Sequence, residues 1–312
     1  MLIQILIFIA ALSVLLLAAR FFTQSAETIG SWLRMSPFII GVFIVGIGTS
    51  LPELVSSILS VRQGLSEIVP GNVMGANISN ILLITGVVAY LNKIELRLTR
   101  SYIFIDLHYL IGGLLIFTVI SYDGQINWAE GLFGIFAFII YSFYLLKEGD
   151  KGSDLPAQEE KNSSFPVKAF LILLLAGVGI YFGADYTISS LSAIAEALGI
   201  PPAIIALTLL SLGTTLPELA VNIAAIREGK AEMAVGNVLG SCIFNAMVVP
   251  GAASFFGSIH VPQALIGFSL PFMLGAGLFF YLLTQDKKIS RWEGILFIIL
   301  YGLFLIKVAN LA

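Results

Sequence analysis

Cysteine is nearly missing from this chain. Cys242 stands alone, so no internal disulfide can form, no cluster of thiolate ligands can be assembled, and redox chemistry is unsupported. It is expected to serve as a small packing residue. Histidine is almost as scarce, with His108 and His260 only. Neither accompanies a candidate nucleophile or acid, which argues against a hydrolase built on a histidine base or a metal set. Charge is thin throughout, at 11% of 312 residues against 58% apolar. The chain therefore reads as a polytopic helical membrane protein and not an enzyme, with a bilayer as its surroundings and no sign of a nucleic-acid or protein partner. The net charge of -3 says little about partners, because in such a chain the position of the basic residues carries the information.

Ten apolar runs are present. The first is Leu2 to Ala19, which lacks a basic leader region and is kept as a helix. The second follows Pro37 and ends near Arg62. The next three are expected at 68–91, 102–120 and 128–146. Five more are expected at 166–187, 201–226, 233–254, 263–283 and 291–309. Each is long enough to span a bilayer. The one polar stretch of any length, around Asp154, Glu159, Glu160 and Lys161, reads as a linker over 147–165 between a first unit, 1–146, and a second, 166–312. With ten spans and the N-terminus outside, all sixteen basic residues except Arg62 and Lys307 fall on the inner side. Both termini are then outside, in a multi-pass protein of the cell membrane.

The polar exceptions inside these runs are repeated. Gly46-Ile-Gly-Thr-Ser-Leu-Pro-Glu53 returns 165 positions later as Ser211-Leu-Gly-Thr-Thr-Leu-Pro-Glu218, and Gly71-Asn72-Val73-Met74-Gly75 returns as Gly236-Asn237-Val238-Leu239-Gly240. Asn80 maps in the same way onto Asn245. An odd number of helices per unit makes the second copy enter the membrane in the opposite sense, so the fold class is all-α, ten helices in two inverted five-helix repeats. Such repeats place broken helices and substrate sites near the membrane midplane. Pro52 and Pro217 each remove a helical hydrogen bond and free a backbone carbonyl. Beside Glu53 and Glu218, with Thr49, Ser50, Thr214 and Thr215, this gives an all-oxygen environment suited to Na+ and Ca2+. Asn72, Asn77 and Asn80, and Asn237, Ser241 and Asn245, supply the opposite wall.

The doubled G-T-[ST]-L-P-E and G-N-V-x-G-x-x-I-x-N segments resemble the two alpha repeats of the calcium/cation antiporter superfamily, most closely its prokaryotic sodium/calcium exchanger branch. The resemblance covers the whole chain. It implies antiport of Ca2+ against Na+ through four clustered cation sites that share the two glutamates, with no cofactor. Carried over by position, it implies as ligands Glu53, Thr49, Ser50 and Asn80 with the backbone of Gly46. From the second repeat come Glu218, Thr214, Thr215, Ser241 and Asn245 with the backbone of Ser211. Two positions depart from the pattern: Ala76 lacks the expected hydroxyl, and Asn245 stands where some members carry Asp.

A Ca2+/H+ exchanger of the same superfamily is the nearest alternative, with H+ or K+ as further candidate ions. A cation channel fits less well, since selectivity filters usually assemble around an axis between subunits. Asp106 and His108, near the start of the fourth helix, and Asp185, near the outer end of the sixth, do not repeat at the 165 offset. They are expected to be interfacial or packing residues. His260 is expected in a solvated outer loop.

Overall fold

The computed structural model describes residues 2–33, 46–91, 96–97, 102–148, 165–227, 231–286 and 288–310. These residues are mostly helical. The helices are α1 (Leu2–Trp32), α2 (Gly46–Thr49 and Leu51–Arg62), α3 (Ile68–Leu91), α4 (Tyr102–Ser121) and α5 (Trp128–Glu148). They continue as α6 (Val167–Leu198), α7 (Pro202–Arg227), α8 (Ala231–Ser254), α9 (Leu265–Leu283) and α10 (Arg291–Ala309). Among the described residues, eight helices, all but α2 and α4, are long and apolar enough to cross a membrane. The expected opening of the second run, from Pro37 to Val45, and most of the polar linker lie outside the described residues.

Two helices are longer than expected. α1 runs on to Trp32 and not Ala19, and α6 runs to Leu198 and not 187. The reading stopped at the first polar residues, yet these do not break a helix. Arg20 is exposed, and the hydroxyls of Thr23, Thr187 and Ser190 bond back to carbonyls of their own helix. α6 stops only at Gly199, whose φ of 66° is a left-handed cap.

α3 and α8 form the centre, with 83% and 89% of their spans buried, against 22% and 28% for α1 and α6. The last two lie against each other at the periphery, where Gly183 lets the backbone of Leu15 approach. Small residues also seat the other crossings. Gly86 of α3 meets Gly294 of α10, and Gly251 of α8 meets Gly131 of α5.

Four two-residue strands join the loops. β1 (Leu96–Arg97) pairs with β4 (Lys288–Ile289), and β2 (Gln125–Ile126) pairs with β3 (Ile259–His260), both antiparallel. Adding 163 to β1 and β2 gives β3 and β4, so the two ladders are one ladder seen twice. The capping boxes agree. Asn127 accepts from the Ala129 and Glu130 amides while Glu130 accepts from that of Asn127, and Ser290 and Glu293 cap α10 in the same way.

The single offset of 165 is thus corrected. It holds to Gly86 and Gly251, after which the second repeat is shorter by two residues. On the corrected frame Asp106 matches Ser269, each buried with a side-chain oxygen that lacks a partner. Asp106 is therefore buried within the helix bundle. Asp185 takes a hydrogen bond from Gln63 at 2.8 Å, and His260 is exposed, as expected.

Candidate cation site

Each repeat interrupts its helix at one residue. Ser50 (φ -90°, ψ 8°) separates the halves of α2, and Thr215 (φ -84°, ψ 1°) takes the same conformation within α7. Both lie in the sparsely populated bridge region, where functional residues are often found. Pro52 and Pro217 follow two residues later and cannot donate to the carbonyls of Gly48 and Gly213. The break is therefore one residue deep, narrower than an unwound loop, and it turns the next turn of helix without losing it.

That turn carries the acids. Glu53 and Glu218 are fully buried, and no ion pair reaches either among the described residues. Their surroundings are exchanged between the repeats. Ser50 of the first donates to Glu218 Oε1 at 3.2 Å, with Thr49 beside it, and Thr214 of the second lies beside Glu53. The helices interleave in the same sense, α3 against α7 and α8 against both halves of α2. Gly71 and Gly75 make the first of these contacts possible. A Cβ on Gly75 would overlap the Leu207 carbonyl and the Ser211 side chain.

The remaining candidates are buried as well, or lie on the turns that precede the acids. Thr49 donates to the Gly46 carbonyl at 3.2 Å, and Thr214 and Thr215 donate to that of Ser211 at 3.3 and 3.0 Å. The Ser211 carbonyl also accepts from the Thr215 backbone amide at 3.0 Å, so it would have to give up one of these bonds to ligate an ion. Asn80, Ser241 and Asn245 are completely buried, and none of their side-chain polar atoms has a hydrogen-bond partner. Both Glu53 oxygens and Glu218 Oε2 are in the same condition. Buried polar atoms left in this condition are costly unless a ligand completes them. Donors of this set are carboxylate, hydroxyl, amide and backbone oxygens, which fit hard cations. Among the described residues no three His, Cys, Asp or Glu side chains gather into another centre.

α3 is also distorted at the site. Residues Ser79–Ile84 are wound as a π-helix, and the Thr85 hydroxyl caps the Asn80 carbonyl at 3.1 Å. The matching stretch of α8 stays α-helical and carries Pro250 where α3 has Thr85.

Asn77 is buried, its amide nitrogen bonding back to the Val73 carbonyl at 2.8 Å and its Oδ1 left without a partner. Its counterpart is Cys242, a fully buried thiol beside Asn80. Ala76 and its counterpart Ser241 are both completely buried. Sequence reasoning missed Asn222, buried and bonded to Asn237. The signal was available: Asn222 follows Glu218 by four residues, and its counterpart is Ser57.

Three comparisons place the chain among known proteins. The chain is 30% identical to the sodium/calcium exchanger MaX1 of Methanosarcina acetivorans, over 97% of this chain and 98% of that protein. It is 31% identical to the membrane protein MJ0091 of Methanocaldococcus jannaschii, over 94% of each. A solved structure of the sodium-calcium exchanger NCX_Mj, soaked with 10 mM Na+ and no Ca2+, superimposes with a TM-score of 0.70 at 29% identity, covering 100% of this chain and 99% of that one. The profile of the sodium/calcium exchanger protein family matches residues 3–147 and 168–309, so the chain belongs to that family of membrane cation exchangers.

Proposed function

We propose that the protein is a Ca2+/Na+ antiporter, working by alternating access across the cell membrane. The observation that carries the reading is the exchanged environment of the acids, in which Ser50 reaches Glu218 and Thr214 lies beside Glu53. The pair carries two negative charges that one Ca2+ or two Na+ balance. Occupancy by one ion therefore excludes the other, and this competition is the coupling. The proposed ligands are Glu53, Thr49, Ser50, Asn80 and the Gly46 carbonyl, with Glu218, Thr214, Thr215, Ser241, Asn245 and the Ser211 carbonyl.

The topology proposed is ten spans with both termini outside, in two inverted repeats at 1–146 and 166–312 joined by 147–165. Its support is the strand pairing. β1 precedes α4 and β2 follows it, so the two ladders stand at opposite ends of a helix about 30 Å long. β3, the counterpart of β1, sits at the β2 end, as inversion requires.

The reading is tested by Ca2+ uptake into proteoliposomes under an imposed Na+ gradient. Uptake is expected to follow that gradient. Equal uptake without any counter-ion gradient would mean a channel, and equal uptake driven by a pH gradient in Na+-free buffer would mean a Ca2+/H+ exchanger.

A further inference from the structure

One helical turn beyond each acid lies a second buried polar pair. Glu53 is followed at the same helix face by Ser57, and Glu218 by Asn222. Asn72 of α3 donates to the Ser57 hydroxyl and to the Glu53 backbone carbonyl, both at 3.5 Å. Asn237 of α8 donates to Asn222 Oδ1 at 3.4 Å. Ser57, Asn72 and Asn222 are completely buried, and Asn237 is 6% exposed.

Both pairs keep an unused oxygen. Asn72 Oδ1 and Asn237 Oδ1 have no hydrogen-bond partner. Turning both amides of the Asn222–Asn237 pair preserves their bond and moves the unused oxygen to Asn222, so one carbonyl stays open in either orientation. A buried acceptor left open in this way is costly, and a cation would complete it.

The pairs lie on opposite sides of the acids. The α2 turn bearing Ser57 leads to Arg62 and the loop where Ser66 accepts from the His260 amide in the β2–β3 ladder. The half of α7 bearing Asn222 runs beside the end of α3 that leads to β1 and the other ladder.

We propose that Asn72 and Asn237 are transfer sites for the transported cation, one on each side of the acid pair. This rests on the antiport reading above. Each site offers a neutral carbonyl oxygen, backed by Ser57 or Asn222, to a Na+ or Ca2+ ion that has left the glutamates and has not regained its full hydration shell. Neutrality matters, because an ion must bind well enough to enter a step and weakly enough to leave it. A carboxylate here would trap the ion, and an apolar residue would force it to cross the turn without a ligand.

The experiment uses the full-length protein in proteoliposomes of defined orientation, with the initial rate at which radioactive Ca2+ loads onto the protein from each face measured before any turnover, since a complete transport cycle crosses both sites. Equilibrium binding of radioactive Ca2+ to the purified protein is measured in parallel. Asn237→Leu is expected to slow loading from the β1–β4 face by about two- to tenfold, the weight of one neutral ligand, and to leave equilibrium Ca2+ binding unchanged. Asn72→Leu is expected to do the same from the β2–β3 face alone. Asn222→Ser, which rebuilds the Ser–Asn pair of the first repeat and so preserves folding, is expected to confine any rate change to the β1–β4 face. Equal slowing from both faces, an unchanged rate, or a loss of equilibrium Ca2+ binding as large as the loss of rate would overturn the transfer sites. A wild-type protein that shows no Na+-driven Ca2+ uptake would instead overturn the antiport reading on which they rest.

Discussion

Gly75→Ala adds one methyl group at the crossing of α3 and α7, and the structure sets its effect. An alanine Cβ built there stands 2.6 Å from the Ser211 Cβ and overlaps the Leu207 carbonyl. Carbon atoms in contact need about 3.5–4.0 Å, so the two helices must separate by roughly 1 Å. The cost is twofold. Overpacking of this kind destabilises by about 1–3 kcal/mol. More important, Ser211 and Thr214 ride on α7 while Asn80 rides on α3, and Ca2+ is held by oxygens within a range of only ~0.3 Å. Losing one ligand to a charged ion, weighed as a charged hydrogen bond of about 1.5–3 kcal/mol, lowers Ca2+ affinity roughly ten- to a hundredfold. The assay is half-saturating Ca2+ in Na+-driven uptake, with the melting temperature recorded beside it. Gly112→Ala, where an added Cβ meets nothing within 4 Å, serves as the control and should behave as wild type. If Gly75→Ala folds and keeps the wild-type Ca2+ dependence, the α3–α7 contact does not set the geometry of the cation site.

Glu53→Gln and Glu218→Gln each keep side-chain volume and remove one of the two site charges; both should abolish Ca2+ uptake in a protein that still folds, and substantial residual exchange would mean the site lies elsewhere. Ala76→Ser should lower half-saturating Na+ several-fold and Ser241→Ala should raise it, with Ca2+ affinity changing much less, since a hydroxyl at either position is a neutral ligand worth about 1 kcal/mol. Identical Na+ curves for the two variants and the wild type would remove both positions from the cluster. Lowering the pH converts the carboxylates from charged ligands to neutral ones, so Na+-driven uptake should fall monotonically with decreasing pH, and a rise would contradict competition at the acids. Ser290→Ala removes the cap of α10 and should cost about 1 kcal/mol of stability, seen as a lower melting temperature with an unchanged transport rate per folded molecule.

The buried polar residues were legible because membrane burial makes such residues expensive. Glu53, Glu218, Asn80 and Asn245 stood out against apolar runs, and their repetition doubled the signal. The residues around them were harder to read. Asn222 and Ser57 carry different side chains at corresponding positions, so repetition alone did not flag them, and only their spacing from the acids could have. The ends of α1 and α6 were misjudged because a polar residue marks the end of an apolar run, whereas a helix ends where its backbone bonds do. The two-residue contraction after Gly251 was hidden because no distinctive motif follows it in either repeat. Only the strand register and the capping boxes reveal it, and with it the match of Asp106 to Ser269. The π-helical turn at Ser79 has no sequence signature that separates it from an ordinary apolar helix.

The two strand ladders also bear on how such a chain is made. Leu96 finds its partner only at Ile289, and Gln125 only at His260. During synthesis the first five helices therefore enter the membrane with the edges of their loops unpaired and with Glu53 facing a gap that Thr214 will later fill. Contacts of this sequence separation form slowly, after a large loss of chain entropy. The first half is committed to the bilayer well before anything can complete it. Biogenesis then depends on that half persisting, unpaired and half-built, until translation delivers the segment that closes both ladders and both acid environments together.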